Sequence, residues 1–342
     1  MKYFATLFDI NYLSRGVALY ESLRKHEDLF MLYVLCLDNE THQYFNDRHE
    51  QYKHIQAIPL TDLENFDQDL LEAKTNRSKV EYYFTISPCL PLFLLRQFNL
   101  PHICTLDADI LFYDSTDSIF NHLENHSIII TPHNFSESIK KLDKHGLYNV
   151  SFQIFKNDKW GIDCLEDWRK KCINWCKDIL DLENQRFCDQ LYLNDWPANY
   201  GEKLYVINNT GAGLAPWNLN NYKIYQQDQL FWVNQSRLIY FHFHGFKILG
   251  EKFATNGFRT YSVKENQHIL ALYKNYWEIL ESINNTLNKT NDTLIRYKTK
   301  TSLISRIMTE KSVFYIKNNK ISNLKIFLIP RFLRSMIKRI YG

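Results

Sequence analysis

Residues 103–112 read Ile-Cys-Thr-Leu-Asp-Ala-Asp-Ile-Leu-Phe, an apolar run that only Asp107 and Asp109 interrupt. Residues two apart in a β-strand project to the same side, so both carboxylates can converge on one cation where the strand leaves the sheet. The apolar flanks bury the pair, and adjacent buried charges need a cation or strong donors to offset their desolvation and mutual repulsion. The stretch predicts a divalent-metal site, and oxygen ligands favour Mg²⁺ or Mn²⁺ over zinc. The alternative is a strand that simply runs into an acidic turn.

Strand-like and helix-like segments alternate around this stretch. Short apolar runs at residues 3–10, 30–37, 102–107 and 127–131 are each followed by a segment with helical spacing. The first such segment predicts an amphipathic helix over residues 13–23, with Ser14 as its N-cap. Strands alternating with helices predict an α/β fold with a mostly parallel sheet covered on both faces. Ligands gather at the carboxyl ends of such strands, where Asp9 and the Asp107–Asp109 pair lie.

The later part of the chain predicts a second set of elements. Residues 160–195 are expected to be helix-rich, residues 265–283 form an amphipathic helix, and the polar stretch 284–302 has the composition of a linker. His242 and His244 alternate within a strand over residues 238–245, so both should face the same side. They could complete a metal site with the aspartates, or they could be half-buried histidines that hydrogen-bond within an aromatic strand. We expect a catalytic domain over residues 1–250 and a C-terminal helical extension over residues 251–342.

Composition and charge exclude several classes of protein. The 342 residues are 45% hydrophobic and 15% aromatic, which permits a large core and argues against a disordered or fibrous chain. The formal charge is +3, but eight bases and no acid follow Glu310, which leaves 33 bases against 38 acids before that point. We therefore expect no nucleic-acid partner. Residues 325–342 form a basic tail in which Pro330 can start an amphipathic helix. This tail either lies on an anionic membrane surface or packs on the catalytic domain.

The cellular compartment can also be predicted. An acid at position 9 comes too early for a signal peptide, and no apolar run reaches the roughly 18 residues of a membrane span. The seven cysteines are an odd number, and several lie in apolar segments, so reduced and packed thiols are expected. Cys172 and Cys176 share a helical face and are expected to pack in a core, not to bind metal. We expect a cytoplasmic protein, peripheral on the inner face of the cell membrane if the tail binds lipid.

Five motifs in a fixed order resemble the GT-A glycosyltransferases of family 8, which include glycogenin and the lipopolysaccharide galactosyltransferases. The resemblance covers residues 3–250 and extends to uncharacterised bacterial glycosyltransferases of the same type. It implies the GT-A fold, a Rossmann-like nucleotide-diphospho-sugar transferase fold. The motifs are TLFDINY at 6–12, LDAD at 106–109, YNV at 148–150, Asp-Gln at 189–190 and HFHGFK at 242–247.

The resemblance implies roles for the residues that bind nucleotide and metal. Asp9, Asn11 and Tyr12 match residues that contact the base and ribose. The metal-binding pair of the family corresponds to Asp107 and Asp109, with Asp107 also near the ribose. The family's metal-binding histidine precedes a glycine by three positions, which favours His242 over His244, although both stay candidates.

The resemblance also implies a group around the diphosphate and the sugar. Lys247 corresponds to a lysine that meets the diphosphate, and Asn149 to an asparagine near the donor sugar. Asp189 and Gln190 match the pair that flanks the reacting carbon. Family members transfer a hexose from a nucleotide-diphosphate sugar, here a UDP-hexose, and a retaining outcome follows from the same resemblance. A glycan or lipid-linked acceptor in bacterial surface polysaccharide synthesis, such as lipopolysaccharide, is the expected partner.

The chain departs from the family pattern at three points. An arginine that reaches the diphosphate in the family is missing from residues 81–88, which leaves Lys79 as a stand-in. Ser151 replaces a common glycine near the sugar, and the histidine motif lacks its usual Lys-Pro-Trp ending. These departures concern the donor sugar more than the diphosphate chemistry.

Other functions explain fewer of these residues. A phosphatase of the haloacid-dehalogenase type also has Asp-x-Asp after a strand, but it needs a small hydroxyl residue where this chain has Leu111. Sugar-nucleotide pyrophosphorylases need a Gly-rich basic loop near the N-terminus, and the one glycine among residues 5–25 is Gly16. A non-catalytic carbohydrate-binding or scaffold protein would keep the aromatic residues, but it has no need for Asp107, Asp109 and His242 together.

Overall fold

A computed structural model describes residues 1–249, 253–289, 312–317 and 320–325. The strands are β1 (Lys2–Phe8), β2 (Phe30–Cys36), β3 (Ile55–Pro59), β4 (His102–Leu106), β5 (Ile110–Phe112), β6 (Ile128–Pro132), β7 (Tyr148–Lys156), β8 (Leu204–Val206), β9 (Ile224–Gln227), β10 (Leu230–Val233), β11 (Ser236–Arg237), β12 (Tyr240–His242), β13 (Lys247–Ile248), β14 (Phe253–Thr255), β15 (Ser312–Lys317) and β16 (Lys320–Lys325). The α-helices are α1 (Leu13–His26), α2 (Asn39–Asn46), α3 (Leu60–Phe66), α4 (Gln68–Ala73), α5 (Lys79–Gln97), α6 (Asp117–Phe120), α7 (Lys159–Asn174), α8 (Trp196–Tyr200) and α9 (Gln267–Lys289). Shorter 3₁₀ segments are Ile10–Tyr12, Lys74–Asn76, Asn121–Glu124, Glu137–His145, Leu191–Asp195, Gly201–Lys203 and Leu219–Asn221.

A seven-stranded sheet forms the centre of the molecule, in the order β3-β2-β1-β4-β7-β6-β8. Strand β1 runs parallel to β2 and β4, β2 runs parallel to β3, and β6 runs parallel to β8. Strand β7 is antiparallel to both of its neighbours. The mixed, mostly parallel sheet predicted from the alternation of strands and helices is confirmed. Its parallel arrangement brings the ends of β1 and β4, and so Asp9 and Asp107, to the same edge.

Helices cover both faces of this sheet, as predicted. On one face, Phe4 and Phe8 of β1 pack with residues of α1 and α2. On the other face, Ala5 of β1 lies in a cluster with buried residues of α5 and α7. The alternation along β1 therefore divides its side chains between two cores, as expected for a strand buried on both sides.

The start of α1 differs from the prediction in one detail. Asp9 caps the 3₁₀ turn Ile10–Tyr12, and this turn leads directly into α1, so Ser14 lies inside the first helical turn and is not the cap. Asp9 takes this role because its carboxylate, placed at the end of β1, accepts the free main-chain N–H of Asn11.

A second layer completes the molecule beside the central sheet. Strands β5 and β12 form an antiparallel pair, β9 to β11 form a three-stranded sheet, and α9 packs against both α1 and β9. Helix α9 continues to Lys289, so the linker predicted from residue 284 begins too early, and its residues 290–302 lie outside the described residues. The C-terminal region also contributes β15 and β16 to a four-stranded sheet with β13 and β14, which the sequence did not predict. The amphipathic helix predicted to begin at Pro330 also lies outside the described residues, and Lys325 at the end of β16 is the one described residue of the basic tail over residues 325–342.

All seven cysteines are buried and none forms a disulfide, as predicted. Cys172 and Cys176 belong to the core cluster beneath α5 and α7. Among the described residues, every helix is too short or too polar to span a bilayer.

Candidate active site

The two aspartates of the opening motif lie in the tight turn between β4 and β5. The Asp107 N–H donates to the Ser151 carbonyl at 3.0 Å, and the Ile110 N–H donates to the Asp107 carbonyl at 3.2 Å. These main-chain bonds hold the turn against β7, so both carboxylates project from the carboxyl end of β4. The side chain of Asp109 is only 15% exposed, whereas that of Asp107 is 46% exposed.

Pairing of β5 with β12 brings a histidine to this turn from more than a hundred residues away. His242 is the register partner of Ile110, and the Phe243 N–H donates to the Asp109 carbonyl at 2.9 Å. The His242 Nε2 atom lies 3.0 Å from Asp109 Oδ1 and 3.5 Å from Asp107 Oδ2. One carboxylate oxygen of each aspartate and one histidine nitrogen lie within 4.8 Å of one another.

The three side chains shift one another's pKa values. Partial desolvation raises the pKa of Asp107 to about 6, opposed by the nearby His242 and reinforced by the negative charge of Asp109. Burial also opposes ionisation of Asp109, but the charge and hydrogen bond of His242 outweigh it and hold the pKa of Asp109 below its usual range. Burial alone would lower the pKa of His242, yet the Asp109 and Asp107 carboxylates raise it. Contact between Asp109 and His242 thus stabilises the charged forms of these two groups, whereas the charged form of Asp107 is disfavoured.

The donor set fits a divalent cation. Carboxylate oxygens suit Mg²⁺ and Mn²⁺, and an added imidazole is well accepted by Mn²⁺. Within the described residues, Asp107, Asp109 and His242 are the single group of acidic, histidine and cysteine side chains close enough to share an ion. With three protein ligands on one side, the cation would keep its remaining coordination positions for another molecule.

His244 does not join this cluster. Strand β12 ends at His242, and the chain then turns through Gly245, whose φ is +77°. The expected alternation therefore does not continue to His244. The ring of this exposed residue lies 5.4 Å from that of His242 and nearly perpendicular to it. It contacts Trp217 and Tyr261 instead, at ring distances of 5.5 Å and 5.9 Å. A metal contact of His244 stays a prediction, although its charge is among those that lower the pKa of Asp109.

Asp9, Asn11 and Lys79 lie together at the end of β1. Asp9 Oδ1 accepts the Asn11 main-chain N–H at 3.1 Å and its side-chain amide at 3.2 Å. The Lys79 ammonium donates to Asp9 Oδ2 at 3.0 Å and is 68% exposed. Lys79 is the first residue of α5, whose N-terminus has a capping box formed by Ser78 and Glu81. The structure thus brings Lys79 to Asp9, which lies 70 positions earlier in the chain.

Arg15 is a residue near the aspartates that the sequence analysis missed. Its guanidinium lies 4.6 Å from the centre of the Tyr12 ring and donates to the Phe246 carbonyl at 3.2 Å. Its charge is among the influences that lower the pKa of Asp109. Partial desolvation raises the pKa of Tyr12, the charges of Asp109, Asp107 and Asp9 raise it further, and the charge of Arg15 lowers it. Arg15 follows Tyr12 by about one helical turn, and this spacing could have indicated from the sequence that the two side chains are neighbours.

Asn149 and Ser151 occupy an irregular part of β7. The register with β6 shifts between Ile130 and Thr131, so β7 bulges here. The Asn149 Oδ1 atom accepts hydrogen bonds from the Ser151 N–H, at 3.1 Å, and from the Ser151 hydroxyl. Asn149 is buried and its amide supports the bulge that carries the Ser151 carbonyl to Asp107.

Asp189 and Gln190 approach the site from a segment beside α7. The Trp168 indole donates to the Asp189 carbonyl at 2.8 Å, and the Gln190 amide donates to the His145 carbonyl at 3.0 Å. Burial raises the pKa of Asp189 to about 7, the Ser87 hydroxyl lowers it, and the charge of Asp107 raises it again. Lys247, by contrast, is exposed at the start of β13.

Comparison with known proteins identifies two curated relatives, and no protein-family model matches the chain. The uncharacterised protein YfnD of Bacillus subtilis strain 168 is 29% identical over 252 residues, which is 73% of this chain and 79% of YfnD. The uncharacterised protein YfnF of the same strain is 29% identical over 258 residues, or 72% of this chain and 82% of YfnF.

Comparison with solved structures identifies the fold. The galactosyltransferase LgtC, solved with donor and acceptor sugar analogues, matches with a TM-score of 0.50 and 12% sequence identity. The match covers 82% of this chain and 95% of that chain. The mixed sheet with helices on both faces is the GT-A glycosyltransferase fold, as expected. Membership of family 8 stays a prediction.

Proposed function

We propose that this chain is a metal-dependent glycosyltransferase that moves a hexose from a UDP-hexose to a glycan or a lipid-linked acceptor. The observation that carries the proposal is the cluster of Asp107, Asp109 and His242 at the carboxyl edge of a GT-A sheet. A carbohydrate-binding protein with this fold would not need three converging ionisable ligands. The acceptor belongs to bacterial surface polysaccharide synthesis, such as that of lipopolysaccharide, in this proposal.

The residues at the sheet edge divide among the parts of such a donor. Asp9, Asn11 and Tyr12 bind the base and ribose in this assignment. Asp107, Asp109 and His242 would hold Mn²⁺ or Mg²⁺. A bound cation would neutralise the charge that develops on the diphosphate as it leaves.

Positive side chains support the same diphosphate. Lys79 lies at the N-terminus of α5, where main-chain N–H groups also favour an anion, and Arg15 lies beside Asp109. Lys247 is exposed at the start of β13, after the histidine segment. These three cations offset the absence of the arginine that the family resemblance leads one to expect.

Asp189 and Gln190, with Asn149, complete the proposed site around the sugar. Asp189 is held by the Trp168 indole and lies near Asp107, so its carboxyl can accept or donate hydrogen bonds to a sugar hydroxyl. Gln190 offers an amide oxygen that could stabilise positive charge on the sugar while the acceptor attacks from the side of the leaving group. The proposed transfer retains the anomeric configuration.

A donor screen with Mn²⁺ tests the proposal, and release of nucleoside diphosphate is the measured quantity. Wild-type protein should release UDP from at least one UDP-hexose, and omission of the metal should abolish the release. Asp109→Asn should reduce turnover on the order of a hundredfold or more, since it removes a charged ligand. The exposed Asp28→Asn is the control and should keep full activity. Equal activity of the Asp109 variant, or activity without metal, would contradict metal-dependent catalysis.

A further inference from the structure

A cavity of about 170 Å³ lies between α5 and the central sheet, beside Asp107 and Asp189. We call it the inner cavity. Asp107 and Asp189 line one end of it, and Tyr83 and Ser87 of α5 line another side. By liquid volume it has space for about six water molecules, which is the scale of one monosaccharide ring and not of a nucleotide.

Three neighbouring strands form the floor of the inner cavity. Thr105 of β4 pairs with Ala5 of β1 on one side and with Gln153 of β7 on the other. Cys104 and Leu106 pack in the core on the opposite face of the sheet, so Thr105 points toward α5. The methyl side chain of Ala5 leaves the space that these two polar residues border.

Several polar atoms around the inner cavity make no hydrogen bond within the described part of the chain. They include the Thr105 hydroxyl, the Gln153 amide nitrogen and one carboxylate oxygen of Asp189. Gln153 is 1% exposed and Asp189 is 2% exposed. Buried polar groups are nearly always hydrogen-bonded, and three unpaired ones around a single space indicate that the space holds a polar molecule.

We infer that the inner cavity receives the sugar of an uncharged nucleotide-diphosphate-sugar donor, and that Gln153 and Thr105 determine which of its hydroxyls are accepted. This inference rests on the proposed function, because the inner cavity adjoins the Asp107 carboxylate that would bind metal and diphosphate. Neither residue is in a motif that carries the family resemblance. Both are specificity-determining residues and take no part in the chemical step.

The charge of the lining selects the class of sugar. The described residues that line the inner cavity include two acids and no lysine, arginine or histidine. A uronic acid would bring its carboxylate next to Asp189, and the lining has no basic side chain to pair with that charge. The Gln153 amide nitrogen needs an acceptor, which a hydroxyl or carbonyl oxygen supplies and an ammonium group does not. An uncharged sugar satisfies both conditions.

Calorimetry in the presence of Mn²⁺ tests the inference with UDP, UDP-glucose, UDP-galactose and UDP-glucuronic acid as probes. Wild-type protein should bind at least one uncharged UDP-hexose about tenfold more tightly than UDP-glucuronic acid. Gln153→Leu should weaken that UDP-hexose about tenfold, which is the effect of one lost buried hydrogen bond, and leave UDP within twofold. Thr105→Val should act in the same direction. Thr85→Val is the matched control, because its buried hydroxyl bonds to the Glu81 carbonyl and does not line the inner cavity.

Deoxy analogues of the preferred sugar separate recognition from a structural effect. In wild-type protein, loss of the hydroxyl that contacts Gln153 should weaken binding, and in Gln153→Leu that particular penalty should disappear. An unchanged ratio of UDP-hexose to UDP affinity in Gln153→Leu, or tightest binding of UDP-glucuronic acid, would overturn the inference while leaving the proposed function intact. Failure of UDP itself to bind with Mn²⁺ would overturn the proposed function and the inference with it.

Discussion

Asp109 is held at the site through both its main chain and its side chain. Its carbonyl accepts the Phe243 N–H, and its carboxylate lies against His242. The first bond continues the alignment of β5 with β12, so strand register also sets the distance between carboxylate and imidazole. A one-residue slip would turn His242 to the other face of its strand and dismantle the cluster.

At the same scale, a substitution of Asp9 tests whether the donor base is uracil. A uracil ring offers an imide donor and two carbonyl acceptors, which the acid of Asp9 and the amide of Asn11 can match. We expect Asp9→Ala to weaken UDP binding by about tenfold or more, as for the loss of a hydrogen bond to a charged group. Calorimetry with UDP and GDP measures this, and Asp28→Ala is the control. Equal affinity of wild-type protein for UDP and GDP would contradict the assignment to uracil.

His133 should make the stability of the protein depend on pH. It is 5% exposed, stacked on Phe135 at 4.5 Å and edge-on to Trp217 at 5.2 Å. Burial lowers the pKa of His133 from 6.5 to about 3. A hydrogen bond to the Gly146 backbone raises this pKa, whereas repulsion from other histidines lowers it further. In this range the unfolded chain binds a proton that the folded chain does not. The free energy of unfolding therefore falls as the pH drops below about 6.5, by at most about 1.4 kcal/mol per pH unit.

The His133→Gln variant removes this contribution. Urea unfolding measured between about pH 6 and pH 4.5 should show a shallower loss of stability with acid in the variant than in wild-type protein. The exposed His49→Gln should keep the wild-type slope. The slope is informative even if the variant is less stable at every pH, and equal slopes would show that His133 does not titrate in this way.

At the scale of elements, the close approach of α1 to β1 sets the position of Asn11, Tyr12 and Arg15. Gly16 lies in α1, and a Cβ atom there would come within 2.2 Å of the Phe8 ring. The absence of a side chain allows the helix to lie directly on the end of β1. Because Asn11, Tyr12 and Arg15 are in the turn and the first part of this helix, their positions depend on that contact.

Gly16→Ala should therefore destabilise the protein, although alanine is the better helix former. We expect a loss of about 1–3 kcal/mol in the free energy of unfolding from overpacking against Phe8. Helix propensity alone would give a gain of about 1 kcal/mol, so the sign decides between the two effects. Urea denaturation provides the measurement, with the exposed Lys25→Ala in the same helix as the control. A more stable Gly16→Ala variant would refute the packing argument.

At the scale of the whole molecule, the C-terminal region supports the site that the N-terminal part builds. Phe243 stacks on Tyr276 of α9 at 3.8 Å, and Phe241 contacts Tyr273 at 5.5 Å. The segment that carries His242 is thus packed between β5 and α9. The division of the chain at residue 250 stays a prediction. The segment before this residue and helix α9 after it nevertheless pack in one hydrophobic core.

The predicted membrane contact of residues 325–342 is tested on the whole chain. Each base near an anionic surface contributes about 1 kcal/mol, and a lipid-linked acceptor would make such contact useful because it confines enzyme and substrate to one surface. We expect the full chain to sediment with anionic liposomes at low salt, and a version ending at Lys325, which keeps β15 and β16, to remain in the supernatant. Vesicles of neutral lipid are the control. Equal partitioning of the two versions would favour a tail that packs on the protein.

The sequence by itself determined the features that depend on local pattern. Strand and helix alternation follows from hydrophobic periodicity, which each segment carries in its own residues. The aspartates had to lie at a carboxyl edge because they directly follow a buried strand. The motifs that resemble glycosyltransferases pointed to the GT-A fold. These motifs are short and lie at the ends of such strands, so they too can be recognised from local sequence.

Only the tertiary structure decided which side chains meet. His242 joins the aspartates and His244 does not, because the register of β12 on β5 and the turn at Gly245 end the alternation. Arg15 reaches the site through the packing of α1 beside the histidine segment, and Gln153 lies next to Thr105 through pairing across 48 residues. These contacts depend on the relative placement of distant segments, which local periodicity does not encode.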